Sequence, residues 1–414
     1  MTDPLFTPLA LPNGAVLPNR LAKAAMEENL ADRGQVPGNR LVALYRRWAM
    51  GGVGLQITGN VMVDPSAMTG PGNVILEEGA DLDPFRRWAE AAKSGGGQIW
   101  MQISHPGRQV YADMGEQAVS ASDVAVEIPG FSRLFGQPRA LTEPEIGVLV
   151  TRFATTARLA AEAGFDGVQV HGAHGYLISQ FLSPLTNRRE DDWGGPLENR
   201  ARFLLEVLKA VRAVVPADFC VAVKLNSADF QKGGFDAEDA ERVVRMLDGL
   251  DLDMVELSGG SYESPAMQGR MGEGSSARRE AYFVDFARRI ARVAAMPIMV
   301  TGGITRLPVA RAAIEADEAG FGVSVLGLAR ALAFAPDLPS HWRAGDQPEV
   351  TVPVVSWSNT ALASLGTMAV AKAQLERMAR GHDPWPGVPA IWAVIADRVR
   401  TMARTRRYKV WRRG

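Results

Sequence analysis

The chain has 414 residues, 47% hydrophobic and 22% charged, with 45 Lys and Arg against 46 Asp and Glu for a net charge of −1. That balance describes an ordinary globular protein and provides no global field to draw in nucleic acid or an anionic membrane. The single cysteine, Cys220, excludes an internal disulfide and a cluster held by several thiolates.

The chain opens Met-Thr-Asp-Pro-Leu-Phe, with no basic region ahead of an apolar stretch, and no run of 18 apolar residues follows anywhere. A cytoplasmic protein without a leader or membrane span is therefore expected. Residues 11–18 read as a hairpin with Asn13-Gly14 at its tip. Eight short apolar runs follow, at 21–25, 53–59, 98–103, 167–170, 221–225, 254–257, 297–301 and 323–326. Between them lie helix-like stretches with apolar residues three and four apart, clearest at 199–215 and 237–250. Thr142, ahead of Glu143 and Pro144, offers a helix N-cap. Eight strand–helix repeats fit a closed α/β barrel, a (β/α)8 TIM barrel over residues 1–345, with the hairpin (about 11–19) closing its N-terminal end. Residues 346–414 form a C-terminal helical extension, with stretches at 362–380 and 390–402 split by His382-Asp-Pro-Trp-Pro-Gly387. Packing or assembly is its expected role. The basic tail from Arg404 to Arg413 reads mainly as a solvated end, with contact to a phosphate or to a partner, such as a neighbouring subunit of a homo-oligomer, as the alternative. Cys220, at the start of an apolar run, reads as a buried structural thiol.

Two stretches are too long for simple connections, 106–139 after the third run and 182–196 after the fourth. Both follow strand C-termini, the face on which barrel enzymes build their sites, and the first brings Phe131 and Phe135 towards an organic substrate. The fourth run ends at His171 and continues Gly-Ala-His-Gly-Tyr, placing His171, His174 and Tyr176 at the barrel mouth. Imidazole N–H groups can hold a substrate carbonyl and stabilise enolate charge, and a phenol can deliver a proton to the neighbouring carbon. A metal site is disfavoured because no carboxylate or thiolate stands beside the pair; a structural role at a turn is the remaining alternative. Gly302-Gly303 after the seventh run and Ala329-Arg330 after the eighth suit a phosphate, since glycines let backbone N–H groups approach it and the guanidinium adds a fixed charge. Gln102 can bond a heterocycle carbonyl and N–H together. Lys224, inside an otherwise apolar strand, needs an anionic partner; a flavin that gains charge on reduction would supply one, and a barrel carboxylate such as Glu256 is the alternative.

Together these residues resemble the old yellow enzyme family of NADH:flavin oxidoreductases over roughly residues 4–345. The resemblance is carried by Pro18-Asn-Arg-Leu-Ala-Lys-Ala-Ala-Met26, Gly51-Gly-Val-Gly-Leu-Gln-Ile-Thr-Gly59, Gln102-Ile-Ser-His-Pro-Gly-Arg108, the motif from His171 to Pro184, Asn187 to Arg200, and Leu328 to Pro339. It implies a non-covalent FMN reduced by NADH or NADPH, with hydride passing from flavin N5 to the β-carbon of an activated alkene. His171 and His174 would hold the activating oxygen and Tyr176 would protonate the α-carbon. Ala24, Ala25, Met26, Asn60, Gln102 and Lys224 would surround the isoalloxazine, and Gly302, Gly303, Ala329 and Arg330 the phosphate. Three positions depart from the family pattern. Glu27 stands where many members have Thr or Cys, and a carboxylate close to the flavin would lower its potential. Lys224 replaces an arginine, and Ala329 a glycine. Larger relatives with an iron–sulfur centre and a second dinucleotide domain are not expected, given one cysteine and the short stretch after residue 345. Two other activities stay open: an NADH oxidase or quinone reductase without a dedicated alkene, and a flavin-binding protein without turnover.

Overall fold

A computed structural model describes residues 3–261, 263–264 and 276–413. Eight parallel strands form its centre: β1 (Leu21–Lys23), β2 (Leu55–Ile57), β3 (Gln98–Ser104), β4 (Gly167–Gly172), β5 (Cys220–Asn226), β6 (Met254–Ser258), β7 (Ile298–Thr301) and β8 (Val325–Leu328). Each pairs with the next, β8 pairs with β1 through Leu326 opposite Leu21, and β3 pairs with β4 through Gln102 opposite Gln169. The sheet has no free edge in this circuit, so it is a closed (β/α)8 barrel.

The connecting helices are amphipathic as their spacing requires. In α1 (Asn39–Met50) Leu41, Leu44, Tyr45 and Trp48 are buried; α2 (Asp83–Lys93) buries Phe85 and Trp88. The third helix, α3 (Glu143–Glu162), starts at Thr142 in a reciprocal capping box with Glu145. The fourth, α4 (Leu197–Val214), turns Leu197, Ala201, Leu204, Leu208 and Val211 inward. Then follow α5 (Ala237–Met246), α6 (Ser276–Ala291), α7 (Leu307–Ile314) and α8 (Leu338–Ala344). The eighth strand begins two residues later than its apolar run. It continues through Gly327, where a Cβ would come 2.0 Å from Thr301 Oγ1, so a glycine there makes room for a neighbour's hydroxyl.

The hairpin pairs Leu9 with Leu17 and Ala10 with Val16. Asn13 at its tip bonds Asp253 Oδ1, the Asp218 carbonyl and Cys220 Sγ, and Leu11 and Leu17 join Ala22, Leu55, Trp100, Ala222, Met254, Met299 and Val325 in the barrel floor. Cys220 lies in that floor, where burial pushes its thiol up to about 12. It is a structural thiol, as its apolar setting indicated.

After the barrel come α9 (Thr360–Met378) and α10 (Ala390–Arg412), which pack on each other. The last helix runs ten residues beyond its expected end, because the basic tail is its final turns. Arg404 and Tyr408, expected in a solvated end, are buried: Arg404 pairs with Glu376 at 2.5 Å and the Tyr408 hydroxyl donates to the Pro65 carbonyl at 2.8 Å. Arg412 pairs with Glu116 and Lys372 donates to Asn29 Oδ1 at 2.7 Å. The extension thus rests on segments that follow β1, β2 and β3, on the C-terminal rim of the barrel. Among the described residues no helix is long and apolar enough to cross a membrane.

Candidate functional site

Side chains two apart on a strand share a face, so the barrel interior can be climbed in steps of two. Above the apolar floor of Trp100, Ala222, Met254, Met299 and Val325 come Gln102, Lys224, Glu256, Thr301 and Gly327, with Gln169 from β4. One step higher, at the mouth, stand Ser104, His171, Asn226, Ser258, Gly303 and Ala329.

The middle layer is a continuous polar chain across five strands. Gln102 Nε2 donates to Gln169 Oε1 at 2.7 Å, and Gln169 Nε2 donates to Glu256 Oε2 at 2.7 Å. Glu256 Oε1 accepts from Thr301 Oγ1 at 2.5 Å and pairs with Lys224 Nζ at 2.7 Å. Lys224 therefore has the barrel carboxylate that was the alternative to a flavin, and both groups are almost entirely out of water. A neighbouring buried lysine, Lys23, is satisfied by Glu28, the Tyr45 hydroxyl and the Ile57 carbonyl. Burial lowers the Lys23 pKa, while the Glu28 charge works against it; the same burial and the same carboxylate push the Tyr45 phenol well up. This trio braces residues 24–28, which leave β1 for the mouth.

At the mouth, His174 and Gly175 take left-handed φ values of 61° and 72°, and that double turn folds Tyr176 back over His171. The Asn226 side chain accepts from the His174 N–H at 3.0 Å and so holds the strained residue in place. Ring centroids of His171 and Tyr176 are 4.8 Å apart, and those of His171 and His174 5.1 Å, both edge to face. His171 Nδ1 accepts from the Ala173 N–H at 3.2 Å, which assigns its proton to Nε2. His174 Nε2 meets Ser258 Oγ at 2.7 Å; with the hydroxyl donating, the imidazole proton sits on Nδ1. Burial holds both imidazoles well below their ordinary pKa; His171 is lowered further by His174 and Lys224, and His174 by Lys224. They are neutral N–H donors. Asn60 Nδ2 lies 3.5 Å from the Tyr176 hydroxyl, on the same rim.

His105, just past β3, is also buried, and burial moves it down to about 4 against the pull of Asp64. The unfolded chain takes up its proton near pH 6.5 and the folded one does not, so the folded state loses stability as pH falls below that value. The expected loss for His105 alone is up to about 1.4 kcal/mol per pH unit between roughly pH 6.5 and 4, with His171 and His174 adding to it. Denaturant unfolding across that range checks this; a flat profile contradicts it.

Of the residues expected around an isoalloxazine, Ala24 is buried with its N–H on the Leu328 carbonyl, and Ala25 and Met26 are half-buried beyond β1. Glu27 turns its carboxylate to Thr69 Oγ1 (2.5 Å) and Asn73 Nδ2 (3.3 Å). Gly302-Gly303 and Ala329-Arg330 follow adjacent paired strands, with Thr301 opposite Gly327, so the four are brought together. The residues fit an FMN in two respects. Asn60 Oδ1 is buried with no hydrogen-bond partner, an orphan acceptor at a strand end. Beside Gly302 a Cβ would meet nothing within 4 Å, leaving open space next to the glycine pair.

Sequence reasoning missed Gln169, Asn226 and Ser258, which the two-residue step along their strands would have found. It also missed Thr69, Asn73 and Asn29, which come from irregular segments with no periodic signal. Tyr111, in the long loop after β3, stacks on Phe135 at 5.2 Å.

A family model described as the NADH:flavin oxidoreductase / NADH oxidase family matches residues 4–348. The sequence is 37% identical over 353 residues to an NADH-dependent flavin oxidoreductase of Hypocrea jecorina, covering 80% of this chain and 87% of that protein. It is 37% identical over 358 residues to a protein of the same description from Neonectria sp., where the match covers 80% of this chain but only 46% of the relative. Among solved structures, the old yellow enzyme homologue from Zymomonas mobilis superposes with a TM-score of 0.69 at 25% identity, over 84% of this chain and 94% of that one.

Proposed function

The chain belongs to the NADH:flavin oxidoreductase / NADH oxidase family, and on that premise we propose that it is an NAD(P)H-dependent ene-reductase that saturates activated C=C bonds. The observation that carries this reading is the arrangement of two neutral imidazoles and one phenol on a single rim, 5.1 Å and 4.8 Å apart by ring centroids. When bound, FMN supplies the hydride, taken from NAD(P)H and delivered to the β-carbon of the alkene.

The chain's own residues do the rest. Gln102 and Asn60 would hold the isoalloxazine, beside the backbone of Ala24, Ala25 and Met26, and Lys224 would add an N–H that its single pairing with Glu256 leaves over. Gly302, Gly303, Ala329 and Arg330 would hold the phosphate. His171 Nε2–H and His174 Nδ1–H orient the carbonyl or nitro oxygen and stabilise the negative charge that grows on it. Neutral donors do this without spending a proton, and burial keeps them neutral. Tyr176 Oη gives its proton to the α-carbon, and burial of this mouth excludes water that would compete for it. Phe135, stacked on Tyr111 in the loop after β3, would offer apolar surface to an organic substrate.

Anaerobic incubation of the purified yellow protein with NADPH and 2-cyclohexenone tests the reading, with cyclohexanone as the expected product. NADPH oxidation that needs oxygen or a quinone and yields no cyclohexanone would assign the protein to the oxidase reading. A protein that binds FMN but oxidises no nicotinamide would have no turnover.

A further inference from the structure

Glu27 is a carboxylate at the mouth held only by neutral donors. Its Oε1 takes the Thr69 hydroxyl and the Asn73 amide, and among the described residues Oε2 receives no hydrogen bond and no cation pairs with either oxygen. Two other charges near the barrel top are compensated within the protein, Lys224 by Glu256 and Lys23 by Glu28. The Arg398 and Asp397 charges of α10 reach the neighbouring Tyr111 together, with opposite effects.

The carboxylate is also held firmly. Asn73 Oδ1 accepts from Asn29 Nδ2 at 2.8 Å, and Asn29 Oδ1 accepts from Lys372 Nζ of α9 at 2.7 Å. Asn29 sits at a left-handed φ of 53°, a conformation that needs such support. The chain of contacts also runs to the reaction centre: Asn73 Nδ2 lies 3.4 Å from the Asn60 carbonyl, and the Asn60 amide faces the Tyr176 hydroxyl. The Tyr111 phenol, raised first by burial, is raised next by the Glu27 charge, so it too lies within that carboxylate's field. A partly buried anion with a free oxygen and no counter-ion favours a ligand that brings one.

We propose that Glu27 is a substrate-recognition residue whose carboxylate binds a protonated amine carried by the alkene that His171 and His174 hold. Helix α9 of the C-terminal extension, through Lys372 and Asn29, positions this carboxylate. The inference rests on the reading of the mouth as an alkene site, and deepens it by naming the substrate class: activated alkenes bearing a cationic nitrogen.

Two unreactive ketones serve as probes, 4-(aminomethyl)cyclohexanone and 4-methylcyclohexanone, titrated at equilibrium into the FMN-loaded protein and followed by flavin absorbance. The amine is expected to bind about tenfold or more tightly at low salt, as a charge-assisted hydrogen bond would give. Glu27→Gln should abolish that preference and Glu27→Asp retain part of it. Equal affinities in the unsubstituted protein, or a preference that survives Glu27→Gln, would overturn the assignment. Should cyclohexenone go unreduced while the amine preference holds, the ene-reductase reading fails and the recognition role of Glu27 stands.

Discussion

Tyr176→Phe is expected to lower alkene-dependent turnover by about 10²- to 10⁴-fold, the range attributable to one positioned proton donor. Phenylalanine keeps the ring that packs edge to face on His171 and removes only the hydroxyl facing Asn60, so the mouth should keep its shape. The loss should fall on the alkene step. Stopped-flow traces of the two half-reactions separate them: flavin reduction by NADPH should proceed in the variant, while reoxidation by cyclohexenone slows. Equal slowing of both steps would mean that the phenol shapes the mouth rather than donates a proton. An unchanged alkene rate would mean that another group or solvent supplies it.

The second large effect concerns stability. Lys224 and Glu256 are paired at 2.7 Å with almost no exposure, and Glu256 also takes the Gln169 amide and the Thr301 hydroxyl. Taking both charges out of water costs several kcal/mol, which the pair and its hydrogen bonds offset only when both members are present. Glu256→Leu strands a buried ammonium and should destabilise the fold by about 3–5 kcal/mol. For a chain of this length the unfolding entropy converts that loss to a fall in Tm of roughly 3–6 °C. Lys224→Met combined with Glu256→Leu should recover most of it, because no charge is then left alone. A single variant whose Tm falls by less than about 1 °C would show that water reaches the pair. Circular dichroism melting of the three variants makes the comparison.

Much of the barrel was readable in advance because its strands are short apolar runs and its helices carry three- and four-residue spacing. Polar residues near the C-terminal ends of the strands were readable for a related reason: His171, Lys224 and Gln102 stand out against apolar neighbours. The tail was misread because Arg404 and Tyr408 are bound through contacts distant in sequence, Arg404 to Glu376 and Tyr408 to Pro65 and Glu116, that no local pattern announces. Lys224 illustrates a subtler limit. A lone charge in an apolar strand signals that a partner exists without naming it, and the neighbour in the parallel register, Glu256, supplies one within the protein. The surroundings of Glu27 were out of reach for the same reason as the tail. Thr69 and Asn73 lie more than forty residues away in irregular chain, and Lys372 lies in the extension.

The most direct test of the account follows isotope through one turnover. The protein is incubated anaerobically with NADPH deuterated at nicotinamide C4 on the transferred face, together with 2-cyclohexenone in ordinary water. Deuterium should appear at the β-carbon of cyclohexanone, with a solvent-derived hydrogen at the α-carbon, and the same label should emerge only slowly from Tyr176→Phe. Consumption of NADPH with no labelled cyclohexanone would contradict alkene reduction at this mouth.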